Sequence, residues 1–330
     1  MPESLAPLVS FVVPSYNYAR YLTDCLDSIF AQQGNYLFEV IAVDDASSDN
    51  SVEILERYRN DPRMRIILHD RNQGHVKTVN EGLTLARGQF VARIDSDDRY
   101  RPDFLRVLLP KFDHPEVGFV YGDAAIMDST GTVTAPSSDH VHHGSDYRGN
   151  ELLGLLRENF ICAPTGIARR SAWHEAMPIP AHLAFNDWYF NLMMARRHDF
   201  HFVSHVVADY RVHPANHHSR IIADKSEEPS IRHVLDYIFS EPESTPALDA
   251  RKQSFRGRAY SAQYLTLANK YFGYQLLADA RRCYLAAMRY SPAEALSINT
   301  LRMLLATYLS PESYRALKRL LKPQAQSAPR

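Results

Sequence analysis

Two clusters of carboxylates each follow a short apolar run in this sequence. Asp44–Asp45 comes directly after Val40–Val43, and Asp95–Asp98, which holds three aspartates, comes directly after Phe90–Ile94. Clustered carboxylates repel one another, so they are costly unless a cation or hydrogen-bond donors offset their charge. Mg²⁺ and Mn²⁺ prefer carboxylate and phosphate oxygens. The second cluster therefore indicates a site for a cation that binds a diphosphate, and the alternative is a solvated turn. The first cluster could bind a nucleobase or ribose, or it could cap the following helix.

Both clusters belong to a pattern of alternating short strands and helices that runs to about residue 122. The predicted strands are nearly continuous in hydrophobicity, as expected of strands covered on both faces. They are Val9–Val13, Phe38–Val43, Arg65–His69, Phe90–Ile94 and Val117–Tyr121. This alternation predicts an α/β fold with right-handed crossovers and a mainly parallel sheet. Ligands of such sheets lie beyond the carboxyl ends of the strands, where the two acidic clusters fall.

The remainder of the chain is organised differently. Residues 123–222 are less regular and rich in His, Tyr and Trp, two polar stretches follow at Asp224–Ser230 and Ser240–Pro246, and the pattern from Ala247 is helical. We therefore predict an α/β domain over residues 1–222, in two halves that meet at about residue 122. A linker region at 223–246 and a C-terminal α-helical extension at 247–330 would follow.

Composition excludes several classes of function. The formal net charge is -1 and the pI about 7.0, so no basic surplus is available for nucleic-acid binding. The three cysteines form no CxxC pair, which indicates neither a zinc site nor a disulfide framework. No apolar run approaches 18 residues and the N-terminus lacks a signal-peptide pattern. These features predict a cytoplasmic location.

Four motifs of the first 100 residues resemble those of glycosyltransferase family 2 in order and spacing. They are Val12–Asn17, Val43–Asp49, Asn72–Gly74 and Asp95–Asp98. The resemblance implies a GT-A fold, which is a Rossmann-like, mainly parallel open sheet flanked by helices. It also implies a metal-dependent, inverting glycosyltransferase that moves a sugar from a nucleotide diphosphate, most commonly UDP, to a hydroxyl of a glycan or lipid-linked acceptor. Bacterial surface polysaccharide biosynthesis is the implied process.

The resemblance assigns roles to residues of the first half. Pro14 and Tyr16, together with Asp45, would lie around the nucleobase of the donor. Asp97 would contact the ribose or help to hold Mg²⁺ or Mn²⁺, and Asp98 would be the principal metal ligand. The sequence does not divide the work between these last two aspartates.

Two further matches lie in the second half. Phe185–Trp188 resembles the acidic pair whose second residue is the catalytic base, which would be Asp187 here, although Asn186 replaces the first acid. Tyr210–Asn216 resembles a Tyr-Arg-x-His motif. His213 would then be a metal or diphosphate ligand, and Arg211 could neutralise phosphate charge.

Three alternatives stay open at this stage. His217 and His218 compete with His213 for the ligand role. The substitution Asn186 leaves room for a catalytically degenerate protein that acts as a binding or scaffold module. A sugar-1-phosphate nucleotidyltransferase would share the sheet and the carboxylates, but it needs a glycine-rich loop where this chain has Pro14–Tyr18.

The C-terminal extension carries an amphipathic basic pattern. Apolar residues on one predicted helix face are flanked by cations: Tyr314, Leu317, Leu320 and Leu321 with Arg315, Lys318, Arg319 and Lys322. Such a helix can lie on an anionic bilayer or pack as an ordinary surface helix. We hypothesise peripheral contact with the inner face of the plasma membrane.

Overall fold

The computed structural model describes residues 7–214 and 217–309. Within them, ten strands form one sheet in the order β3-β2-β1-β4-β9-β6-β10-β5, with β7 paired to β6 and β8 to β10. The strands are β1 Val9–Ser15, β2 Phe38–Asp44, β3 Met64–Leu68, β4 Phe90–Arg93, β5 Arg99–Tyr100, β6 Val117–Met127, β7 Val133–Ala135, β8 Tyr147–Gly149, β9 Gly166–Arg169 and β10 Asp199–Arg211.

Helices flank the sheet and continue beyond it. The α-helices are α1 Ala19–Phe30, α2 Ser51–Arg57, α3 His75–Leu85, α4 Phe104–Leu108, α5 Leu152–Arg157, α6 Arg170–Ala176, α7 Asp187–Ala195, α8 His217–Ala223, α9 Glu227–Ser240, α10 Pro246–Gly273, α11 Leu277–Tyr290, α12 Pro292–Ala295 and α13 Ile298–Ala306. Short 3₁₀ turns occupy Leu109–Lys111 and Ala163–Thr165. None of the helices in the described ranges is long and apolar enough to cross a membrane.

The parallel part of the sheet is the part that the sequence pattern predicted. β1 runs parallel to β2 and β4, and β2 runs parallel to β3. The second half makes the sheet mixed, because β9 lies antiparallel between β4 and β6, while β6 and β10 are parallel. The predicted α/β class, with an open sheet, flanking helices and C-terminal helices, is confirmed.

Helix α1 shows why the first motif is held firmly. Leu22, Cys25, Leu26 and Ile29 are fully buried on the face predicted from their spacing, in one cluster with Phe11 of β1. Apolar groups recurring every three or four residues form a stripe that packs on the sheet. The β1–α1 turn is therefore anchored by a strand on one side and by a buried helix on the other.

The chain divides into two compact units that are not continuous in sequence. One unit comprises the chain up to Ile221 together with Glu241–Asp249, and the other comprises Ile222–Ser240 together with the chain from Ala250. In the first unit, Arg196 at the end of α7 pairs with the buried carboxylate of Glu243 at 3.0 Å.

Candidate functional site

A cavity of about 500 Å³ lies at the carboxyl ends of β1, β2 and β4 and beside the start of α7. Five of the sequence-predicted site residues line it: Pro14, Tyr16, Asp45, Asp97 and Asp187. Three other predicted residues, Asp98, Arg211 and His213, are buried and are not among its lining residues. The structure thus brings together residues from four separate motifs at the edge where open α/β sheets bind ligands.

The turn from β1 into α1 forms one wall of this cavity. Asn17 adopts a positive φ of 58°, a conformation that Asn tolerates better than most residues. Its side-chain Oδ1 accepts a hydrogen bond from the backbone N–H of Ser48 at 2.7 Å, and its own N–H donates to Ser47 Oγ at 2.9 Å. These bonds join the first two motifs and leave the Tyr16 ring exposed at the cavity.

In the first acidic cluster the hydrogen bonds of both carboxylates are satisfied. Asp44 accepts the N–H and the hydroxyl of Ser47, so it closes the turn that follows β2. Asp45 accepts the backbone N–H groups of Gln73 at 2.7 Å and Gly74 at 2.9 Å. Burial alone would raise the pKa of Asp45, but these donors and His69 hold it below its ordinary value. Asp45 is thus an oriented, ionised acceptor at the cavity.

His69 connects Asp45 to a second carboxylate. Its Nδ1 lies 2.7 Å from Asp45 Oδ1 and its Nε2 lies 2.8 Å from Glu81 Oε2. Burial lowers the pKa of His69, but the two carboxylates outweigh that effect and raise it overall. The bridge fixes the direction of the Asp45 side chain from behind the cavity.

The second acidic cluster contains an ion pair and two strongly buried acids. Arg93, the last residue of β4, binds Asp95 through both terminal nitrogens at 2.9 and 3.1 Å. Asp97 lines the cavity, and its Oδ2 lies 3.1 Å from His213 Nε2. Burial and the neighbouring Asp95 raise the pKa of Asp97 despite the contact with His213. This cluster therefore carries more charge than the protein compensates.

Asp98 has a different environment from Asp97. Its Oδ1 accepts the backbone N–H of Arg211 at 2.8 Å, whereas its buried Oδ2 has no hydrogen-bond partner within the described residues. Burial, followed by the charges of Asp97 and Asp95, raises the pKa of Asp98 well above its ordinary range. A buried carboxylate oxygen without a hydrogen-bond partner lowers the stability of the fold unless a ligand or a cation binds to it.

These residues fit a divalent cation that shares its ligands with a substrate. No three His, Cys, Asp or Glu side chains in residues 7–214 and 217–309 are arranged to hold a metal by themselves. Mg²⁺ sites commonly use one or two carboxylates and take their other ligands from substrate phosphates and water. Asp97 is the carboxylate of such a site that lines the cavity, so a cation there would take most of its other ligands from phosphate and water.

Arg211 and His213 lie behind the acidic cluster. The Arg211 side chain is fully buried, its Nε donates to the carbonyl oxygen of Asp97 at 2.7 Å, and it stacks 4.5 Å from the Tyr21 ring centroid. The exposed Arg220 of α8, rather than Arg211, lines the cavity. Of the alternatives to His213, the side chains of His217 and His218 lie outside the described part of the chain, as does Asn216.

Asp187 opens helix α7 on the opposite side of the cavity. It is half-buried, and its Oδ2 accepts a hydrogen bond from Asn159 Nδ2 at 2.8 Å. The next residue, Trp188, is buried and donates its indole N–H to the carbonyl oxygen of Leu155, which anchors the helix start. The N-terminus of a helix also favours a negative charge. Asp187 is therefore held in a fixed orientation at the cavity.

Comparison of the sequence with protein-family models identifies the family of the protein that contains this cavity. The model described as glycosyl transferase family 2 matches residues 10–177, just over half of the chain. The chain belongs to glycosyltransferase family 2. The match covers both acidic clusters.

Two curated relatives resemble parts of this family 2 chain. It is 41% identical over 107 residues to the succinoglycan biosynthesis protein ExoO of Rhizobium meliloti, covering 32% of this chain and 30% of that protein. It is 34% identical over 156 residues to the putative teichuronic acid biosynthesis glycosyltransferase TuaG of Bacillus subtilis, covering 46% and 60%. In both cases the match spans less than two thirds of the relative's length.

Solved structures resemble nearly the whole family 2 chain. Residues 1–349 of S. aureus TarS in complex with UDP-GlcNAc share 18% identity, with a TM-score of 0.63 over 93% of this chain and 91% of that one. The mannosyltransferase PcManGT of Pyrobaculum calidifontis, in complex with GDP-Man and Mn²⁺, shares 17% identity with a TM-score of 0.56 over 96% and 84%. At these identities the likeness concerns the fold, and it confirms the predicted GT-A architecture.

Sequence reasoning missed three side chains at this cavity or directly behind it. Arg93 could have been noticed as a cation that ends an otherwise apolar strand beside an acidic cluster. His69 was placed in a predicted strand, and nothing in the sequence linked it to Asp45. Arg220 carries no local signal, because it follows the recognised motif and reaches the cavity only through the path of the chain after β10.

Proposed function

We propose that this chain transfers a sugar from a nucleotide diphosphate, preferably a UDP-sugar, to a hydroxyl of a glycan or lipid-linked acceptor. The observation that carries the proposal is the single cavity in which Asp45, Asp97 and Asp187 converge from three separate motifs. Family membership and the UDP-GlcNAc complex of TarS support a sugar-nucleotide donor. The names of ExoO and TuaG support a role in bacterial surface polysaccharide biosynthesis.

Donor binding would use the wall formed by the first two motifs. Asp45 is ionised and oriented, so it can accept a hydrogen bond from an N–H group at the edge of a base. Tyr16 and Pro14 line the cavity beside it and offer an apolar, partly aromatic surface on which a base ring can pack. Together these residues would hold the nucleobase as the family resemblance implies.

The diphosphate would lie toward the second acidic cluster. Bound Mg²⁺ or Mn²⁺ would neutralise charge on the departing diphosphate and orient it. Asp97 and His213 would hold the cation, with the free Oδ2 of Asp98 available beside them. We assign the phosphate-neutralising role expected of Arg211 to Arg220, because Arg220 lines the cavity and Arg211 is buried against the Asp97 carbonyl.

Asp187 would act as the general base. Its carboxylate would take the proton of the acceptor hydroxyl as that oxygen attacks the anomeric carbon, while Asn159 keeps the side chain oriented. A retaining reaction would need a second free carboxylate near the sugar. Asp95 also lines the cavity, but Arg93 binds it through two nitrogens. The arrangement therefore favours a single displacement with inversion.

Isothermal titration calorimetry with UDP, GDP and dTDP, each in Mn²⁺ and in EDTA, tests this function. We expect UDP to bind most tightly and to lose most of its affinity in EDTA. Conversion of a UDP-sugar to free UDP should show the same metal dependence. If none of the three nucleotides binds, the sugar-nucleotide proposal fails and the degenerate binding module becomes the better account of the fold.

A further inference from the structure

The overall charge balance conceals a strong asymmetry along the chain. Residues 251–330 contain fourteen Lys and Arg but only three Asp and Glu, whereas residues 1–250 contain 23 and 35. Within the described part of this basic segment, several cations are exposed to solvent: Arg251, Arg256, Arg258, Arg289 and Arg302. A charge difference of this size between two parts of one chain indicates an acidic partner for the basic part.

The same segment exposes apolar side chains on one face of α13. Ile298, Leu301 and Leu305 recur with helical spacing, and Ile298 is 88% and Leu305 66% exposed. Tyr308 just after the helix is exposed as well. Isolated exposed leucines are ordinary, but a row on one helix face marks an interaction surface.

The opposite face anchors α13 to its own unit. Thr300 and Ala306 are buried, and Arg281 of α11 donates to the carbonyl oxygen of Thr307 at 2.6 Å. The Arg281 guanidinium also lies 3.7 Å from the centre of the Tyr308 ring. The exposed row is therefore the outward face of a docked helix and not the result of an unpacked one.

Electrostatic charge distinguishes between a second copy of the chain and a lipid bilayer as the binding partner of this face. A second copy of the chain would bring Arg302 and a segment of net positive charge against the same charges, and like charges across an interface are unfavourable. A bilayer that contains acidic phospholipids offers both an apolar interior for the row and negative charge for Arg302 and the basic segment. Arg302, which is exposed one position beyond Leu301, puts a cation directly beside the apolar row.

We propose that α13, with Arg302 beside its apolar row, is a docking surface for membranes rich in acidic phospholipid. Ile298, Leu301 and Leu305 would enter the interfacial region, while Arg302 contacts lipid phosphate. This surface is separate in sequence from the amphipathic pattern at 314–322, which lies outside the described residues. The proposal does not depend on the chemistry of the donor cavity.

Vesicle co-sedimentation of the full chain tests the proposal. The vesicles are phosphatidylcholine alone and phosphatidylcholine mixed with phosphatidylglycerol. The variant Ile298→Gln/Leu305→Gln is compared with the matched control Leu37→Gln/Val133→Gln, whose side chains are also exposed but lie in the other unit. We expect binding to the acidic vesicles only, weakened by salt, reduced about tenfold or more in the α13 variant and unchanged in the control.

Three results would overturn the proposal. The first is no sedimentation with either vesicle, or equal sedimentation of the α13 variant and wild type. The second is a dimer in light scattering that the α13 variant abolishes, which would assign the face to a second copy. The third is loss of vesicle binding after removal of residues 310–330 with α13 intact, which would assign the binding to that segment. Unchanged thermal unfolding and UDP binding of each variant show that the change is local.

Discussion

The two acidic clusters at the sheet edge resemble each other in sequence and differ in physical state. Asp45 receives hydrogen bonds from two backbone N–H groups and from His69, and its pKa is lowered. Asp98 is equally buried, receives one backbone N–H, keeps one oxygen without a partner, and has a raised pKa. The protein itself satisfies the first cluster, whereas in the second it leaves a buried oxygen of Asp98 without a hydrogen-bond partner among the described residues.

This difference shows that one fold can use the same residue type for two purposes. The aspartate of the first cluster is a rigid part of the cavity wall, and those of the second form a candidate cation site. A carboxylate whose acceptors are saturated by the protein serves as a fixed feature of the binding wall. Carboxylates that are desolvated without enough donors store an unfavourable charge that metal and diphosphate would relieve. Asp187 is intermediate, because it accepts one hydrogen bond from Asn159 and remains accessible at the cavity.

The largest expected effect is the loss of the base. Asp187→Asn should lower turnover by roughly 10²–10⁴-fold, because a positioned general base contributes about that much. UDP affinity should stay nearly unchanged, since Asp187 lies away from the two acidic clusters in sequence and would act on the acceptor. Release of UDP from a UDP-sugar with acceptor present, measured beside calorimetry, checks this. The control is the exposed Asp113→Asn, and full activity of Asp187→Asn would reject the assignment.

The next largest effect is expected from replacing the arginines near the second acidic cluster. Arg211→Gln should reduce the free energy of unfolding by about 1–3 kcal/mol, because it removes the hydrogen bond that the buried guanidinium donates to the carbonyl oxygen of Asp97. Arg220→Gln should leave stability unchanged and weaken UDP more than UMP. Urea unfolding and calorimetry of both variants measure these effects. If Arg211→Gln is as stable as wild type and weakens only UDP, Arg211 contacts phosphate after all.

A pair of substitutions compares the two clusters directly. Asp97→Asn should abolish the Mn²⁺ dependence of UDP binding and leave the affinity seen in EDTA. Asp45→Asn should weaken UDP by about 10–100-fold in Mn²⁺ and in EDTA alike, the usual cost of losing a charged hydrogen bond. Calorimetry under the four conditions separates the outcomes. Equal metal dependence in the two variants would remove the distinction between the clusters.

The smallest effect concerns pH. The pKa of His69 is raised above its ordinary value of 6.5, so its protonated form stabilises the fold. That contribution is complete below about pH 6.5 and is lost as pH rises through the raised pKa. Wild type should therefore exceed His69→Gln in unfolding free energy by about 1 kcal/mol more at pH 5.5 than at pH 9. His205→Gln, an exposed partner of Asp103, should show little of this dependence.

If the unfolding free energies of wild type and His69→Gln differ by the same amount at all pH values, His69 stays neutral. The bridge to Asp45 would then be an ordinary hydrogen bond, and the charge compensation described for the first cluster would rest on the backbone donors alone.

Much of the fold could be predicted because its first half is made of local signals. Strands buried on both faces are continuously apolar, and the acidic residues at their ends share one edge of a parallel sheet. The antiparallel insertion of β9 could not be predicted, because Gly166–Arg169 is too short to show a period. The inward packing of Arg211 was also beyond the sequence, since it depends on contacts with residues more than a hundred positions away.

The pairing of Arg196 with Glu243 bears on where this chain can be truncated. Glu243 belongs to the unit that carries the cavity, although it lies beyond the first stretch of the C-terminal unit. A gene fragment that stops at residue 222 would encode every residue of the cavity but would strip Arg196 of its buried counter-ion. A fragment that keeps the unit with the cavity intact should therefore extend through at least residue 249.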